Sequence, residues 1–458
     1  MNRTILLLLV FLGSATPSFA RHPDPDSVVT QLIALGLGRL EGYAMLDTLT
    51  TMAPGRISGS VKAAEAVLLA QRMMLTRGFA NVHTERVIVP HWVRGDVEDA
   101  RLLTTHGEKP LAVCALGSSV ATPPGGVTAE VIEAQTFEAL QALGPAVQGK
   151  IVYLSGRFDP ALVNTFQAYG NAVGLRSRGP VEAAKAGGVA VLVRSMTNAI
   201  DDVPHTGNTN YAEGTSPIPA AAISTISGDQ LSAALHRGER VKVRLRLDCR
   251  SLPDVESANV MGEISGSEHP EEIIVVGGHL DAWDKGTGAH DDGAGCVQSM
   301  EALNLLRRAG LHPRKTIRCV LFMNEENGLR GGRAYPVDPG RRGEMHVAAI
   351  ESDRGGFSPR GFTVQGDSSV LARVVQWRDL FERINAGTIL PGGSGSDVSP
   401  LAAAGVPSFG LLPEDQRYFD YHHSDNDTID KVHPRELELG AIALAVLCWQ
   451  ISEEGLHP

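Results

Sequence analysis

The sequence has few cysteines and no cluster of basic residues. Five cysteines occur in 458 residues, an odd number that is too small for a disulfide scaffold. Cys319 and Cys448 lie in apolar runs, where a thiol behaves as a small buried hydrophobe, so we predict no disulfide. The 41 lysines and arginines are outnumbered by 52 acidic residues, which gives a net charge of −11. Because no basic run is present to neutralise phosphates, nucleic acid is excluded as the partner.

Long apolar stretches are also missing, except at the beginning of the chain. There Arg3 precedes the apolar residues 5–12, and the small residues Ser18 and Ala20 follow. This pattern predicts a secretory signal peptide over residues 1–20, and an uncleaved anchor is the alternative. No other segment approaches 18 apolar residues. We therefore expect a mature chain without a membrane anchor, secreted or periplasmic.

The 50 glycines follow neither a collagen period nor a low-complexity tract, and the chain has no internal repeat. Its length predicts two or three domains. Residues 108–250 contain short alternating segments between Gly/Pro-rich loops, whereas apolar strands alternate with amphipathic helices from residue 254 onwards. We therefore predict an α/β domain, formed by residues 21–107 and 251–458, into which a β-rich module of residues 108–250 is inserted. The central sheet is expected to be mixed, mostly parallel and flanked by helices.

Ionisable side chains follow directly after three predicted strands of the α/β domain. They are His279 with Asp281, Glu325 with Glu326, and Asp353. Two further groups lie in loops that precede helices. They are Asp291 with Asp292, and His422 with His423. Taken singly, each residue could be a solvated turn or a helix-capping acid. Because ligands bind at the carboxyl ends of parallel strands, we expect the whole set to converge on one crevice.

The composition of this set favours a metal site. Imidazoles and carboxylates without thiolates suit a borderline divalent cation, zinc above all, with positions left open for water. More than four such ligands exceed one tetrahedral site. Two metals bridged by a carboxylate are therefore expected, an arrangement typical of hydrolases.

These residues resemble the co-catalytic zinc aminopeptidase and carboxypeptidase family, and most closely its carboxypeptidase Q branch. The family's motif blocks Gly-His-x-Asp, Gly-Ala-x-Asp-Asp, Glu-Glu, Asp and His-x-x-x-Asp-Thr occur in order, at residues 278–281, 288–292, 325–326, 353 and 423–428. The segments 89–95 and 204–207 also resemble that branch. The resemblance covers nearly the whole mature chain. It implies a zinc exopeptidase fold whose inserted module, residues 108–250, is protease-associated-like and lies over the rim of the active site.

The resemblance also implies roles for the individual residues. Two zinc ions would be bound, one by His279 and Asp353, the other by Glu326 and His423, with Asp291 as the bridge between them. Glu325 would be the general base that takes a proton from water. Asp281 would orient His279, and Asp427 would support His423 in the same way. A cis peptide bond is expected between Asp291 and Asp292.

One part of the family pattern is absent. No tyrosine occurs in the stretch 391–397, where the aminopeptidase branch has an aromatic hydroxyl that helps to polarise the carbonyl. Polarisation would then fall to the metals, to backbone N–H groups of this glycine loop or to His205. Trp283, Asp284 and Arg354 flank the ligands and are candidates to contact the peptide termini. For Trp283, core packing is the alternative.

The function expected from these residues is that of an exported di-zinc exopeptidase that hydrolyses dipeptides or short peptides with a free N-terminus. A broad aminopeptidase acting on longer peptides is the nearest alternative. A non-catalytic receptor-like ectodomain and a single-zinc glutaminyl cyclase are further alternatives, but neither needs the full ligand set. A homodimer is expected, as in relatives of this branch.

Overall fold

The computed structural model describes residues 23–456, so the predicted signal peptide lies outside the described residues. Two eight-stranded sheets and their helices form this part of the chain. The strands are β1 (Ala80–Val93), β2 (Glu98–Thr104), β3 (Gly107–Leu111), β4 (Val113–Ala115), β5 (Val127–Ala134), β6 (Ile151–Leu154), β7 (Ala190–Arg194), β8 (Ala220–Ile223), β9 (Lys242–Leu247), β10 (Arg250–Ile264), β11 (His269–His279), β12 (Lys315–Phe322), β13 (Met345–Glu351), β14 (Pro359–Gln365), β15 (Thr388–Pro391) and β16 (Ser408–Pro413). The α-helices are α1 (Pro25–Arg39), α2 (Glu41–Met52), α3 (Val61–Thr76), α4 (Phe137–Leu143), α5 (Thr165–Ser177), α6 (Gly179–Lys185), α7 (Thr225–His236), α8 (Ala294–Arg308), α9 (Arg330–Ala334), α10 (Ser368–Gln376), α11 (Arg378–Glu382), α12 (Ser399–Ala403), α13 (Tyr418–Tyr421) and α14 (Pro434–Glu454).

The first sheet has the order β1-β10-β12-β11-β13-β16-β14-β15. Its centre is parallel, because β11 pairs in parallel with both β12 and β13, and β13 pairs in parallel with β16. Antiparallel pairs join β1 to β10, β10 to β12 and β14 to β16. The predicted mixed, mostly parallel sheet with flanking helices is therefore confirmed.

The register of the central strands brings their carboxyl ends to one edge. His279, the last residue of β11, is paired with Phe322, the last residue of β12. Gly277 on the same strand is paired with Glu351, the last residue of β13. Residues that follow these three strands therefore emerge side by side at that edge.

The N-terminal helical region contains three helices, α1 to α3. Leu40 adopts a left-handed backbone (φ 54°) and its N–H bonds to the carbonyl of Gly36, so α1 ends there and α2 begins at the next residue. The apolar spacing continues across this break, so the pattern alone favours a single helix over the residues of α1 and α2. These helices pack with α14 and the buried helix α8 on one face of the sheet.

The second sheet has the order β3-β2-β9-β5-β6-β7-β8-β4. Its strands run from Glu98 to Leu247, so β2 pairs in this sheet although it precedes the predicted module boundary at residue 108. Four helices, α4, α5, α6 and α7, accompany this sheet in the predicted β-rich module. The division into domains and the likeness to a protease-associated module stay predictions.

All five cysteines are buried with free thiols. Cys296, Cys319 and Cys448 lie in one hydrophobic core, and Cys249 and Cys114 lie in two others. Across residues 23–456, no helix combines the length and the apolar character needed to cross a membrane.

A pair of acidic side chains is buried between helices α8 and α14. Glu301 and Glu438 are both 0% exposed, and the backbone N–H of Gly42 donates to Glu438 Oε2 at 3.2 Å. Burial, reinforced by the charge of Glu301, raises the pKa of Glu438 to about 8, and burial raises that of Glu301 to about 7. The other charged groups facing the pair are Glu41, Arg77 and Arg308. A carboxyl whose pKa is raised by folding stabilises the fold below its unfolded pKa, and this stabilisation is lost as the pH rises through 7 to 8.

Replacing Glu438 with glutamine is expected to reduce this loss of stability at high pH, because the amide cannot ionise. The melting temperature, measured at pH 6 and pH 9, should fall less between the two for Glu438→Gln than for the wild type. Glu436→Gln, on the same helix but outside the pair, is the control and should behave like the wild type. An equal fall in melting temperature for Glu438→Gln and the wild type would contradict the proposed effect of the buried Glu301–Glu438 pair on stability.

Candidate metal centre

Five side chains predicted as ligands meet at the carboxyl edge of the first sheet. The Asp291 carboxylate lies at their centre, with Oδ1 at 3.2 Å from His279 Nε2 and Oδ2 at 3.3 Å from His423 Nε2. On one side, His279 Nε2 is 3.5 Å from Asp353 Oδ1. On the other, His423 Nε2 is 3.0 Å from Glu326 Oε2. The two oxygens of Asp291 thus face two separate groups of ligand atoms.

Ligand atoms of three overlapping groups lie within 4.8 Å of one another. The groups are His279 with Asp291 and Glu326, His279 with Asp292 and Asp353, and Asp291 with His422 and His423. The Asp292 carboxylate is already used for hydrogen bonds within the protein, because it accepts from the backbone N–H groups of His279 (3.0 Å) and Gly295 (2.9 Å). The Asp291–Asp292 peptide bond is cis, as the family resemblance implies.

Asp281 organises the turn that carries the two glutamates. Its Oδ1 accepts hydrogen bonds from the backbone N–H groups of Asn324 (2.7 Å) and Glu325 (3.0 Å). The Nδ1 of His279 lies 3.0 Å from the backbone carbonyl oxygen of Asp281 and 4.0 Å from its carboxylate. Asp281 therefore contacts His279 through its main-chain carbonyl rather than through its carboxylate.

Asp427 differs from its expected role. Its carboxylate accepts from the N–H groups of His290 (2.7 Å) and Asp291 (3.1 Å), and so it holds the loop that carries Asp291. The Nδ1 of His423 instead lies 3.3 Å from the carbonyl oxygen of Thr206, in the region of the second sheet. Sequence reasoning missed this contact, although Thr206 lies in the segment 204–207 that resembles the carboxypeptidase Q branch.

The residues flanking the ligands have partners within the protein. Trp283 is 2% exposed and packs in the core of the second sheet, and its backbone N–H donates to Glu326 Oε1 at 3.2 Å. Asp284 accepts a bidentate hydrogen bond from Arg94. The guanidinium of Arg354 lies 4.4 Å above the ring of Phe166. Core packing, the alternative for Trp283, is what the structure shows.

His205, the candidate for carbonyl polarisation, is buried beside the centre. Its Nδ1 lies 2.8 Å from the carbonyl oxygen of His422, and its Nε2 has no hydrogen-bond partner. Burial lowers the pKa of His205 to about 4, so the ring is neutral at neutral pH. A neutral ring with Nδ1 donating leaves Nε2 as an acceptor, which does not suit polarisation of a carbonyl oxygen.

Comparison with known proteins agrees with this geometry. The sequence model "Peptidase family M28" matches residues 259–447. Carboxypeptidase Q of Bos taurus is 36% identical over 434 residues, which cover 95% of this chain and 90% of that protein. The chain belongs to peptidase family M28. Carboxypeptidase Q of Homo sapiens is 34% identical over 94% of this chain and 89% of that protein.

Solved structures support the same family membership. The crystal structure of a peptidase M28 precursor from Shewanella amazonensis matches this family M28 chain with a TM-score of 0.90 and 34% identity, over 94% of this chain and 98% of that one. A zinc aminopeptidase from Bacillus subtilis shares the fold, with a TM-score of 0.63 and 20% identity over 89% of this chain and 93% of that one. As a member of family M28, the protein is a zinc-dependent metallopeptidase that acts on peptides.

The donor set of this family M28 chain fits zinc. Two imidazole nitrogens and three carboxylates, without a thiolate, are ligands typical of catalytic zinc. Asp291 Oδ2 is buried and accepts no hydrogen bond from a described residue. An oxygen of this kind needs a cation or a donor, because an unpaired buried carboxylate is unfavourable.

Electrostatics lead to the same conclusion. Burial, reinforced by the Asp291 carboxylate, raises the pKa of Glu326 to about 8, and burial raises that of Asp353 to about 6. Burial lowers the pKa of His423, but the Glu326 carboxylate outweighs burial and brings it to about 10. The acids therefore repel one another while they are buried together. Cations at this point would remove that repulsion.

Proposed function

We propose that this protein is an exported exopeptidase that uses two zinc ions to hydrolyse dipeptides or short peptides with a free N-terminus. The observation that carries the proposal is the position of Asp291. Its two oxygens face opposite ways, one toward His279 at 3.2 Å and the other toward His423 at 3.3 Å. A carboxylate that serves two groups of ligands in this way suits a two-metal hydrolase.

In the proposed site, His279 and Asp353 hold one ion, Glu326 and His423 hold the other, and Asp291 is shared. When bound, zinc supplies Lewis acidity that polarises a peptide carbonyl and makes water more acidic. The backbone N–H of Trp283 restrains Glu326, and the backbone carbonyls of Asp281 and Thr206 fix the tautomers of the two histidines.

Glu325 is the proposed general base. Its backbone N–H is held by Asp281 at 3.0 Å, while its half-buried carboxylate accepts no hydrogen bond from a described residue. This carboxylate contributes to the charge felt by His279, Asp281 and Asp353, so it lies near the centre. It takes a proton from the attacking water and returns it to the departing amine. Asp281 has the role of positioning it.

Two features favour an active enzyme that takes short substrates. The five ligands and Glu325 are all present and lie together, whereas a non-catalytic ectodomain has no need to keep them. The region of the second sheet contacts the centre directly, since the N–H of Thr206 donates to the carbonyl of His423 at 2.9 Å. A module seated on a ligand-bearing loop limits the room for long peptides. Export through residues 1–20 and a homodimer belong to the same proposal.

A free amino terminus is expected to be required. The catalytic efficiency, kcat/KM, for an acetylated dipeptide should be at least about 100-fold lower than for the same dipeptide with a free N-terminus, because acetylation removes the charge of the terminal ammonium group and adds bulk at the end that the proposed exopeptidase recognises. Measurement of kcat/KM for alanyl-leucine and acetyl-alanyl-leucine with the zinc-loaded protein tests this. Equal cleavage of both would mean that the enzyme does not read the amino end.

A further inference from the structure

A polar cavity of about 280 Å³ lies at one edge of the second sheet. One wall consists of residues at the carboxyl ends of β5, β6 and β7 or directly after them, namely Glu133, Ser155 and Arg194. The other wall consists of residues that share one face of α7, namely Asp229, Ser232 and His236. The three strands pair in parallel, and ligands bind outside the carboxyl ends of parallel strands. None of the proposed zinc ligands lines this cavity, so it is separate from the metal centre.

The strand residues of the cavity lie on the same face of the sheet. Glu133 is paired with Tyr153, and Tyr153 is paired with Leu192. Ser155 and Arg194 come two residues after Tyr153 and Leu192, and side chains two apart along a strand lie on one face. Because β6 lies between β5 and β7, Ser155 lies between Glu133 and Arg194. The backbones of these two outer residues are two strand spacings, about 10 Å, apart.

One end of the cavity has an excess of positive charge. Arg194, which is only 7% exposed, places its Nη1 at 2.9 Å from Asp229 Oδ1, and Arg157 Nη2 lies 2.7 Å from the same oxygen. Across residues 23–456, no other carboxylate oxygen lies within 4.0 Å of either guanidinium. One carboxylate therefore accompanies two guanidiniums. This end of the cavity is suited to a second carboxylate, which both arginines would bind through charge-assisted hydrogen bonds.

The opposite end of the cavity has a negative charge. Glu133 accepts a hydrogen bond from Ser232 Oγ at 2.7 Å through Oε1, and its Oε2 lies 3.1 Å from Nε2 of the exposed His236. Within the described part of the chain, no lysine or arginine nitrogen lies within 4.0 Å of this carboxylate. Glu133 is thus a mostly buried acid without a permanent cation beside it. Such a carboxylate is suited to bind an ammonium group.

Between the two ends, Ser155 provides a hydroxyl group that no other group uses. The residue is 6% exposed, and its backbone N–H donates to the carbonyl of Ala134 at 3.0 Å. Its Oγ is buried and has no hydrogen-bond partner among the described residues. A buried hydroxyl without a partner is unfavourable. A ligand in the cavity that hydrogen-bonds to Ser155 would remove this cost.

We propose that this cavity binds a free α-amino acid. Its carboxylate would pair with Arg157 and Arg194, its ammonium group would pair with Glu133, and Ser155 Oγ would hydrogen-bond to the ligand between them. An α-amino acid carries its two opposite charges close together, as the cavity does, and a volume of about 280 Å³ suits a small ligand of this kind. The proposal does not depend on the proposed function, because no zinc ligand takes part in it.

The experiment measures the Kd of L-alanine by calorimetry, with the zinc-loaded full chain. Arg157→Gln and Glu133→Gln should each raise the Kd by about 10- to 100-fold, because each removes a hydrogen bond to a charged group. Ser155→Ala should raise it by about 2- to 10-fold. Alaninamide and N-acetylalanine, which each lack one of the two charges, should bind the wild type at least about 10-fold more weakly than alanine.

Arg237→Gln is the matched control. Arg237 is exposed and pairs with Glu239, as Arg157 pairs with Asp229, but it lies outside the cavity. This variant should keep the wild-type Kd. The rate of dipeptide hydrolysis without added amino acid is measured for every variant, and it should stay at the wild-type level because none of these residues belongs to the metal centre.

A Kd that rises with both Arg157→Gln and Glu133→Gln, but not with the control, supports the proposal. Alanine binding that neither variant changes would place the amino acid elsewhere, at the metal centre, and overturn it. An effect of Arg157→Gln alone would make the cavity a simple anion site and overturn it too. Absence of any alanine binding would do the same. Because hydrolysis is measured separately, each of these results leaves the proposed function standing.

Discussion

Glu325→Gln is expected to keep its zinc and to lose nearly all hydrolysis, with kcat lower by about 100- to 10,000-fold. The amide has the shape of the carboxylate, and the backbone N–H that bonds to Asp281 is unaffected by the change. It cannot take a proton from water, however, and so it cannot return one to the departing amine. Single-turnover hydrolysis of a dipeptide, together with zinc analysis of the same sample, measures both effects.

A matched control for this variant is Glu271→Gln, an exposed glutamate at the opposite end of β11. It should keep both zinc and activity. If Glu325→Gln hydrolyses dipeptides at the wild-type rate, Glu325 is not the base. If Glu325→Gln loses zinc, its lower rate reflects damage to the metal centre, and the experiment then gives no support for Glu325 as the base.

The part of the site that could be predicted from the sequence is the part set by strand ends. His279 ends one of the parallel central strands and Glu326 and Asp353 follow two others, and parallel pairing brings such residues to one edge of the sheet. The same reasoning predicted the mixed, mostly parallel sheet. Local sequence patterns are enough to predict the strand-end residues and the type of sheet. The pairing of neighbouring strands is the only long-range information that these two predictions need.

The partners of these residues could not be predicted in the same way. Thr206 and Arg176 contact His423 across more than 200 residues of sequence, and Arg94 pairs with Asp284 over a similar separation. Such contacts depend on how the region of the second sheet packs against the first sheet. Local periodicity in the sequence carries no information about that packing. Asp427 shows the same limit at short range. The family resemblance implied His423 as its partner, but the turn directs its carboxylate to the N–H groups of His290 and Asp291.

The role proposed for Asp291 leads to the most demanding prediction for metal binding. The wild type is expected to hold about two zinc ions per chain. Asp291→Ala should empty both positions and abolish hydrolysis, because Asp291 faces both ligand groups. Asp353→Ala removes a ligand from one group only, so this variant should keep about one ion. His423→Ala removes a ligand from the other group and should likewise keep about one.

Zinc analysis after dialysis, with thermal unfolding of each variant, measures these differences. Ions that bind only the folded chain stabilise it, so the melting temperature should fall in step with the zinc lost. Asp425→Asn, exposed in the same loop as His423, is the control and should retain full zinc. Comparison of the variants tests whether Asp291 bridges the two ions. Removal of a carboxylate that binds a single ion should release one ion, whereas removal of a bridging carboxylate should release both. An Asp291→Ala protein that still holds one zinc ion would leave Asp291 as an ordinary ligand, and the two-metal arrangement would then need a different bridge.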